Sequence, residues 1–138
     1  MYTSETRDSQ VVIWIGVVLI LINGLVHFVD APDSFGDATY LGLLFVANGI
    51  GSVLAATGIA WGSRRWGWGL GLLVAGGALV GYVLSRTVGL PGGLTDDIGN
   101  WLDTLGVVSI VAEALFVALA GRVLAPVTRA RRPGSAGA

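Results

Sequence analysis

The 138-residue sequence predicts an all-α integral membrane protein: a four-helix bundle, both termini cytoplasmic, with a short interfacial helix ahead of the fourth span. Three observations predict it. Hydrophobic residues make up 54% of the chain and charged ones only 12%, about half the roughly 25% of an ordinary soluble domain. The apolar residues fall into four blocks, and a helix of roughly 20 residues crosses a hydrocarbon core of about 30 Å. The arginines, finally, sort to one side of those blocks.

The first block runs from about Val11 to Val29, behind a cytoplasmic segment of residues 1–10 that carries Arg7. It is too long for a secretory signal core, and Asp30-Ala31-Pro32 is a poor cleavage site, so it reads as an uncleaved span. A loop follows from Asp30 to Ala38, holding Pro32 and Gly36, with Asp37 placed to cap the next helix. The second span covers about residues 40–61 and the third 66–84, joined by the tight turn Gly62-Ser63-Arg64-Arg65. Beyond Arg86 the run Gly89-Leu90-Pro91-Gly92-Gly93 breaks any helix. Thr95 then reads as an N-cap with Asp96 and Asp97 in a first turn, and Ile98, Trp101, Leu102 and Leu105 share a face. That segment predicts the interfacial helix leading into a fourth span over about residues 102–124. Residues 11–125 form one transmembrane domain, and 126–138, rich in Arg, Pro, Gly and Ala, a disordered cytoplasmic tail.

Every basic side chain is an arginine. Arg7, Arg64, Arg65, Arg122, Arg129, Arg131 and Arg132 fall on one side of the spans; Arg86 alone sits on the other, among Asp30, Asp33, Asp37, Asp96, Asp97 and Asp103. The positive-inside bias therefore makes this a multi-pass protein of the plasma membrane with two acidic outer loops. Trp14, Trp61, Trp66 and Trp68 fall at the inner interface and Trp101 and Tyr40 at the outer one, as an aromatic belt requires.

Several functions are excluded early. A net charge of −1 gives no basic stripe for nucleic acid. Cysteine is absent, so thiolate metal sites and cysteine nucleophiles are too. One His and the initiator Met cannot hold a haem within a single chain. No phosphate loop, nucleophile elbow or metalloprotease motif occurs. The expectation is no catalytic residue, no metal and no cofactor.

Polar groups inside the spans are the default place to look for function. Glu113 lies about 18 Å below Trp101, near the midplane, where a bare carboxylate is costly and the neutral acid needs a hydrogen-bond partner. It reads either as a proton- or cation-binding group or as a neutral Glu fixing helix register. Asn23, His27 and Asp30 stack at i, i+4 and i+7, and Asn48 lies at a depth similar to Asn23. Asn23, His27, Asn48 and Glu113 are expected to line one outward-opening polar cleft. The plainer reading gives His27 to Asp30 and each Asn to an interhelical hydrogen bond. Arg86 and Asp30 mark the mouth, Arg86 anchoring the loop through Asp96, Asp97 or Asp30, or else holding an anion or a quinone.

Glycine is plentiful at 22 residues. Gly51, Ala55, Gly58 and Gly62 follow one face of the second span; Gly67 with Gly71, and Gly77, Gly81 and Ser85, repeat at four-residue steps in the third. Small residues at that spacing let helices approach closely in lipid. They serve packing within the bundle or a face for a second copy or a larger membrane complex.

The segments Tyr82-Val83-Leu84-Ser85-Arg86-Thr87-Val88-Gly89-Leu90-Pro91-Gly92, His27 with Ala31-Pro32-Asp33, Tyr40 to Asn48, and Leu105-Gly106-Val107-Val108-Ser109 leading to Glu113-Ala114-Leu115-Phe116 carry a resemblance. Together they resemble a group of small, uncharacterised four-span membrane proteins of prokaryotes with GC-rich genomes. The likeness covers most of the chain apart from its tails. It implies the same topology, implies no mechanism, and falls on His27, Asn48, Arg86 and Glu113.

Three functions fit this inventory. The first is a non-catalytic accessory or scaffold subunit of a membrane assembly. The second is a small oligomeric transporter or proton/cation-conducting protein using Glu113, His27 and Asn48. The third is a quinone- or redox-linked membrane protein using Arg86 and His27.

Overall fold

The computed structural model describes residues 3–62 and 65–125, with side chains from residue 9 onward. It is all-helical: α1 (Thr3–Asp37), α2 (Thr39–Ala60), α3 (Trp66–Thr87) and α4 (Thr104–Leu124). All four contain stretches long and apolar enough to cross a membrane. Neighbours in sequence pack side by side and α4 closes back onto α1, while α1 and α3 meet only across the diagonal. Large apolar side chains such as Leu25, Leu43, Leu73 and Leu115 point outward, as lipid-facing surfaces require.

The longest departure from expectation is α1. It has 35 residues and carries Pro32 inside it, so the expected loop from Asp30 to Ala38 does not exist. Proline removes one donor and strains one turn, but tertiary packing holds the last turns in place. Ala31 and Ser34 are buried, and a Cβ at Gly42 would overlap the Phe35 ring, as one at Gly49 would overlap Phe28. The whole link to α2 is Ala38, whose extended backbone starts α2 with no side-chain cap; Asp37 ends α1 rather than capping α2.

Between α2 and α3 the chain turns at Gly62, held at φ +81; Ser63 and Arg64 lie outside the described residues. Here the backbones meet. A Cβ on Gly67 would sit 2.5 Å from the Ile59 nitrogen and 2.6 Å from the Gly58 carbonyl carbon. Gly71 makes room for Phe116, and Gly16 for the indole of Trp68. Trp68 stacks on Phe116 at 5.6 Å and is 3% exposed. It is a core residue, not part of the aromatic belt, because those two glycines open a slot for it. Trp14, Trp61, Trp66 and Trp101 are exposed as a belt requires.

The expected interfacial helix is also absent. Residues 88–103 form successive turns that include one isolated Leu90–Leu94 bridge. Gly89, Gly92, Gly93 and Gly99 all have φ between +82 and +95, and Gly99 donates its N–H to the Arg86 carbonyl at 2.9 Å. A left-handed glycine inside so short a run defeats helix nucleation, which is costly at any length. Thr95, expected to cap that helix, therefore caps none; the N-cap of α4 is Asp103, accepting from the Gly106 N–H at 2.9 Å. The tail from residue 126, including Arg129, Arg131 and Arg132, lies outside the described residues.

Candidate functional site

The interior is divided along its length. Its apolar core, built around Val17, Ile20, Ile59, Trp68, Phe116 and Ala120, occupies the half of the bundle at the α2–α3 turn. The buried polar groups Asn23, His27, Ser34, Ser52, Ser85, Arg86, Ser109 and Glu113 occupy the middle and the opposite, Asp-rich half.

Asn23 is fully buried at the centre. Its Nδ2 donates to Asn48 Oδ1 and to Ser52 Oγ, each at 2.8 Å. Asn48 Nδ2 in turn donates to the Val74 carbonyl at 3.2 Å, so the network ties α1, α2 and α3 together. Ser52 Oγ lies 3.4 Å from Asn48 Oδ1 and donates to it. The expected interhelical asparagine bonds are thus present, with Ser52 as an added member. Its sequence signal was available: it stands four residues after Asn48, on the same face.

His27 does not pair with Asp30. Its Nδ1 lies 2.9 Å from the Asn23 carbonyl; a carbonyl only accepts, so Nδ1 carries a proton and donates it there. The ring packs on Phe45, centroids 4.8 Å apart. Since α1 continues to Asp37, His27 sits about 15 Å from that helix end.

Glu113 is 1% exposed. Its Oε1 accepts from Ser109 Oγ at 2.5 Å, one turn earlier on α4. Asn23, His27 and Glu113 are therefore enclosed, with Asn48 only half-buried, and they do not line an open cleft.

Arg86 is 8% exposed and reaches Asp97 at 2.8 Å. It also donates to Ser85 Oγ at 3.3 Å and lies 4.6 Å over the Tyr82 ring. Of the three aspartates expected to anchor it, Asp97 is the partner. Asp30 lies within electrostatic reach of Arg86, Asp33, Asp97 and Asp103 without bonding to Arg86. Tyr82 donates to the Trp101 carbonyl at 3.1 Å and Tyr40 to the Pro91 carbonyl at 2.6 Å, so two hydroxyls and one ion pair hold the loop over the Asp-rich end. Asp97 is 55% exposed, and an ion pair that wet contributes at most about 1 kcal/mol. Asp97→Asn is expected to raise protease cleavage within residues 88–103 while leaving the helical circular-dichroism signal unchanged.

The glycines divide into two sets. Gly51 meets Val74, Gly58 meets Trp66 and the Gly67 backbone, and Gly71 meets Phe116. Gly69, Gly76, Gly77 and Gly81 have nothing within 4 Å of an added Cβ. Three of these, Gly69, Gly76 and Gly77, line a shallow outward groove on α3 with Leu72, Leu73 and Val80. Among the described residues no cluster of His, Cys, Asp and Glu is suited to hold a metal ion. No family model, curated protein or solved structure matches this chain significantly.

Proposed function

We propose that this chain is a non-catalytic accessory subunit of a membrane assembly, docking another transmembrane helix in the glycine groove of α3. The observation that carries the reading is the split between its glycines. Those facing α2 and α4 are filled by this chain's own residues, whereas Gly69, Gly76, Gly77 and Gly81 face nothing. Each costs about 1 kcal/mol of helix propensity relative to alanine. A helix that gives this up repeatedly on one side gains it back where a second backbone comes close. Exposed Leu73 and Val80 flank the groove and supply the ridges that a partner helix packs between. The arginine bias supports both termini facing the cytoplasm of a plasma membrane, with the aspartates outside.

A transport reading rests on Glu113, His27 and Asn48. Against it stands the apolar half of the core, which gives those groups a polar route toward one end only within a single copy.

Cross-linking in intact membranes followed by native electrophoresis tests the docking. The wild-type chain is expected in a species larger than the monomer. Gly77→Leu is expected to release the monomer with its thermal unfolding unchanged, since a side chain there meets no internal atom. A monomeric wild type, or a Gly77→Leu variant that stays in the larger species, overturns the proposal.

A further inference from the structure

Two buried oxygen acceptors in the middle of the bundle have no donor. The orientation of the Asn23 amide follows from its network. The Val74 carbonyl can only accept, so Asn48 turns Nδ2 toward it; Asn48 Oδ1 then receives one hydrogen of Asn23 Nδ2, and Ser52 Oγ the other. Asn23 Oδ1 is left over, buried and without a partner. On α4 the Ser109 hydroxyl satisfies Glu113 Oε1, and Glu113 Oε2 is likewise buried and without a partner.

Helix register puts these two side chains in one layer. Along the antiparallel α3 and α4, Gly71 lies against Phe116 and Gly106 against Tyr82, which sets Glu113 level with Ala75. Along α1 and α3, Gly16 lies against Trp68; seven residues on, Asn23 is level with the same Ala75. Asn23 and Glu113 thus enter the same cross-section from the adjacent helices α1 and α4.

We propose that Glu113 is a proton-binding site that latches α4 to α1. The neutral carboxyl donates from Oε2 to Asn23 Oδ1 while Oε1 keeps the Ser109 hydroxyl. One proton then satisfies both orphaned acceptors, which otherwise carry the penalty of unpaired buried polar atoms. The Asn23 amide keeps its donated bonds to Asn48 and Ser52, so the adjustment falls to the Glu113 side chain, whose terminal torsion has broad wells. A metal cation does not fit the layer. Hard cations take six or more oxygens; among the described residues no group of His, Cys, Asp and Glu suited to a metal occurs, and the unpartnered buried side-chain oxygens are Asn23 Oδ1 and Glu113 Oε2.

Among the described residues no charged group opposes Glu113 in its layer. α1 brings Asn23, with His27 a turn further on; α2 brings Asn48 and Ser52; α3 brings Ala75. Arg86, Asp30, Asp97 and Asp103 lie toward the loop end. Since the buried polar side chains continue toward that end and the apolar core fills the other, the proton exchanges with the Asp-rich side. Its release leaves a carboxylate facing Asn23 Oδ1, and the latch opens. This is independent of docking through α3.

Infrared spectroscopy of the purified chain in detergent reads the carboxyl directly. At neutral pH the wild type is expected to show the C=O stretch of a hydrogen-bonded protonated carboxyl, shifting in D2O and disappearing reversibly on alkaline titration. Glu113→Gln, which keeps an N–H donor toward Asn23, is expected to fold and to lose the band entirely. Asn23→Ala is expected to move the band to the frequency of a less hydrogen-bonded acid; where that variant does not fold, Ser109→Ala, which removes the donor to Oε1, is expected to leave a band still hydrogen-bonded through Asn23. A folded wild type without the band at neutral pH overturns the proposal. So does a band that survives Glu113→Gln, or one at the frequency of a free acid.

Discussion

Gly67→Leu is expected to prevent α2 and α3 from packing, with no folded protein recovered or a loss of about 3 kcal/mol, the upper end of ordinary overpacking costs. The atoms in the way decide this. A Cβ there meets the Ile59 nitrogen and the Gly58 carbonyl carbon. Backbone of a regular helix has no rotamer to change, so the helices must separate and take Ile59 and Trp68 out of the core they share. Gly69→Leu, two residues along the same helix, adds the same side chain where nothing lies within 4 Å. It is expected to unfold within about 1 kcal/mol of the wild type. Thermal unfolding of both variants in one detergent, followed by circular dichroism, makes the comparison. Equal losses would mean that leucine in α3 is disfavoured for some reason other than the α2 contact.

What the sequence made legible follows from how each feature is encoded. Four spans were readable because length and hydropathy are local sums, and α2, α3 and α4 lie close to the spans read from them. Pro32 misled because a proline's local preference to end a helix was outweighed by Phe28 and Phe35 seated on the glycines of α2, a contact between residues far apart in the chain. The interfacial helix misled in the opposite direction. An apolar face at i, i+3, i+4 and i+7 is real around Trp101, but it gives no weight to Gly99 at φ +83.

The site was legible as residue types and not as an arrangement. Asn23, Asn48, His27, Arg86 and Glu113 stand out because polar groups are rare in apolar spans, and the structure buries all but Asn48 deeply. Ser52 and Ser109 do not stand out, because serine is unremarkable in a membrane helix, though each stands four residues from a member of the site. Which small faces are internal was not legible at all. Gly67 and Gly77 look alike in sequence, and only the position of α2 separates them.

Asn23→Leu is expected to cost about 2 kcal/mol, measured by thermal or denaturant unfolding in detergent. The substitution removes two donated bonds, to Asn48 Oδ1 and Ser52 Oγ, from a fully buried position of comparable volume. Interhelical hydrogen bonds in membranes average about 0.6 kcal/mol and reach about 1.7. Two of them at a fully buried position belong toward the upper part of that range. The Oδ1 acceptor offered to the Glu113 proton disappears with the amide as well. The His27 ring stays in place, since it is held by the backbone carbonyl of residue 23. Asn48→Leu strips the other side of the same contact, so the double variant is expected to cost less than the two single losses added together, by about the strength of the shared bond. Additive losses would show that Asn23 and Asn48 act separately, and the three-helix tie would then have to rest on packing alone.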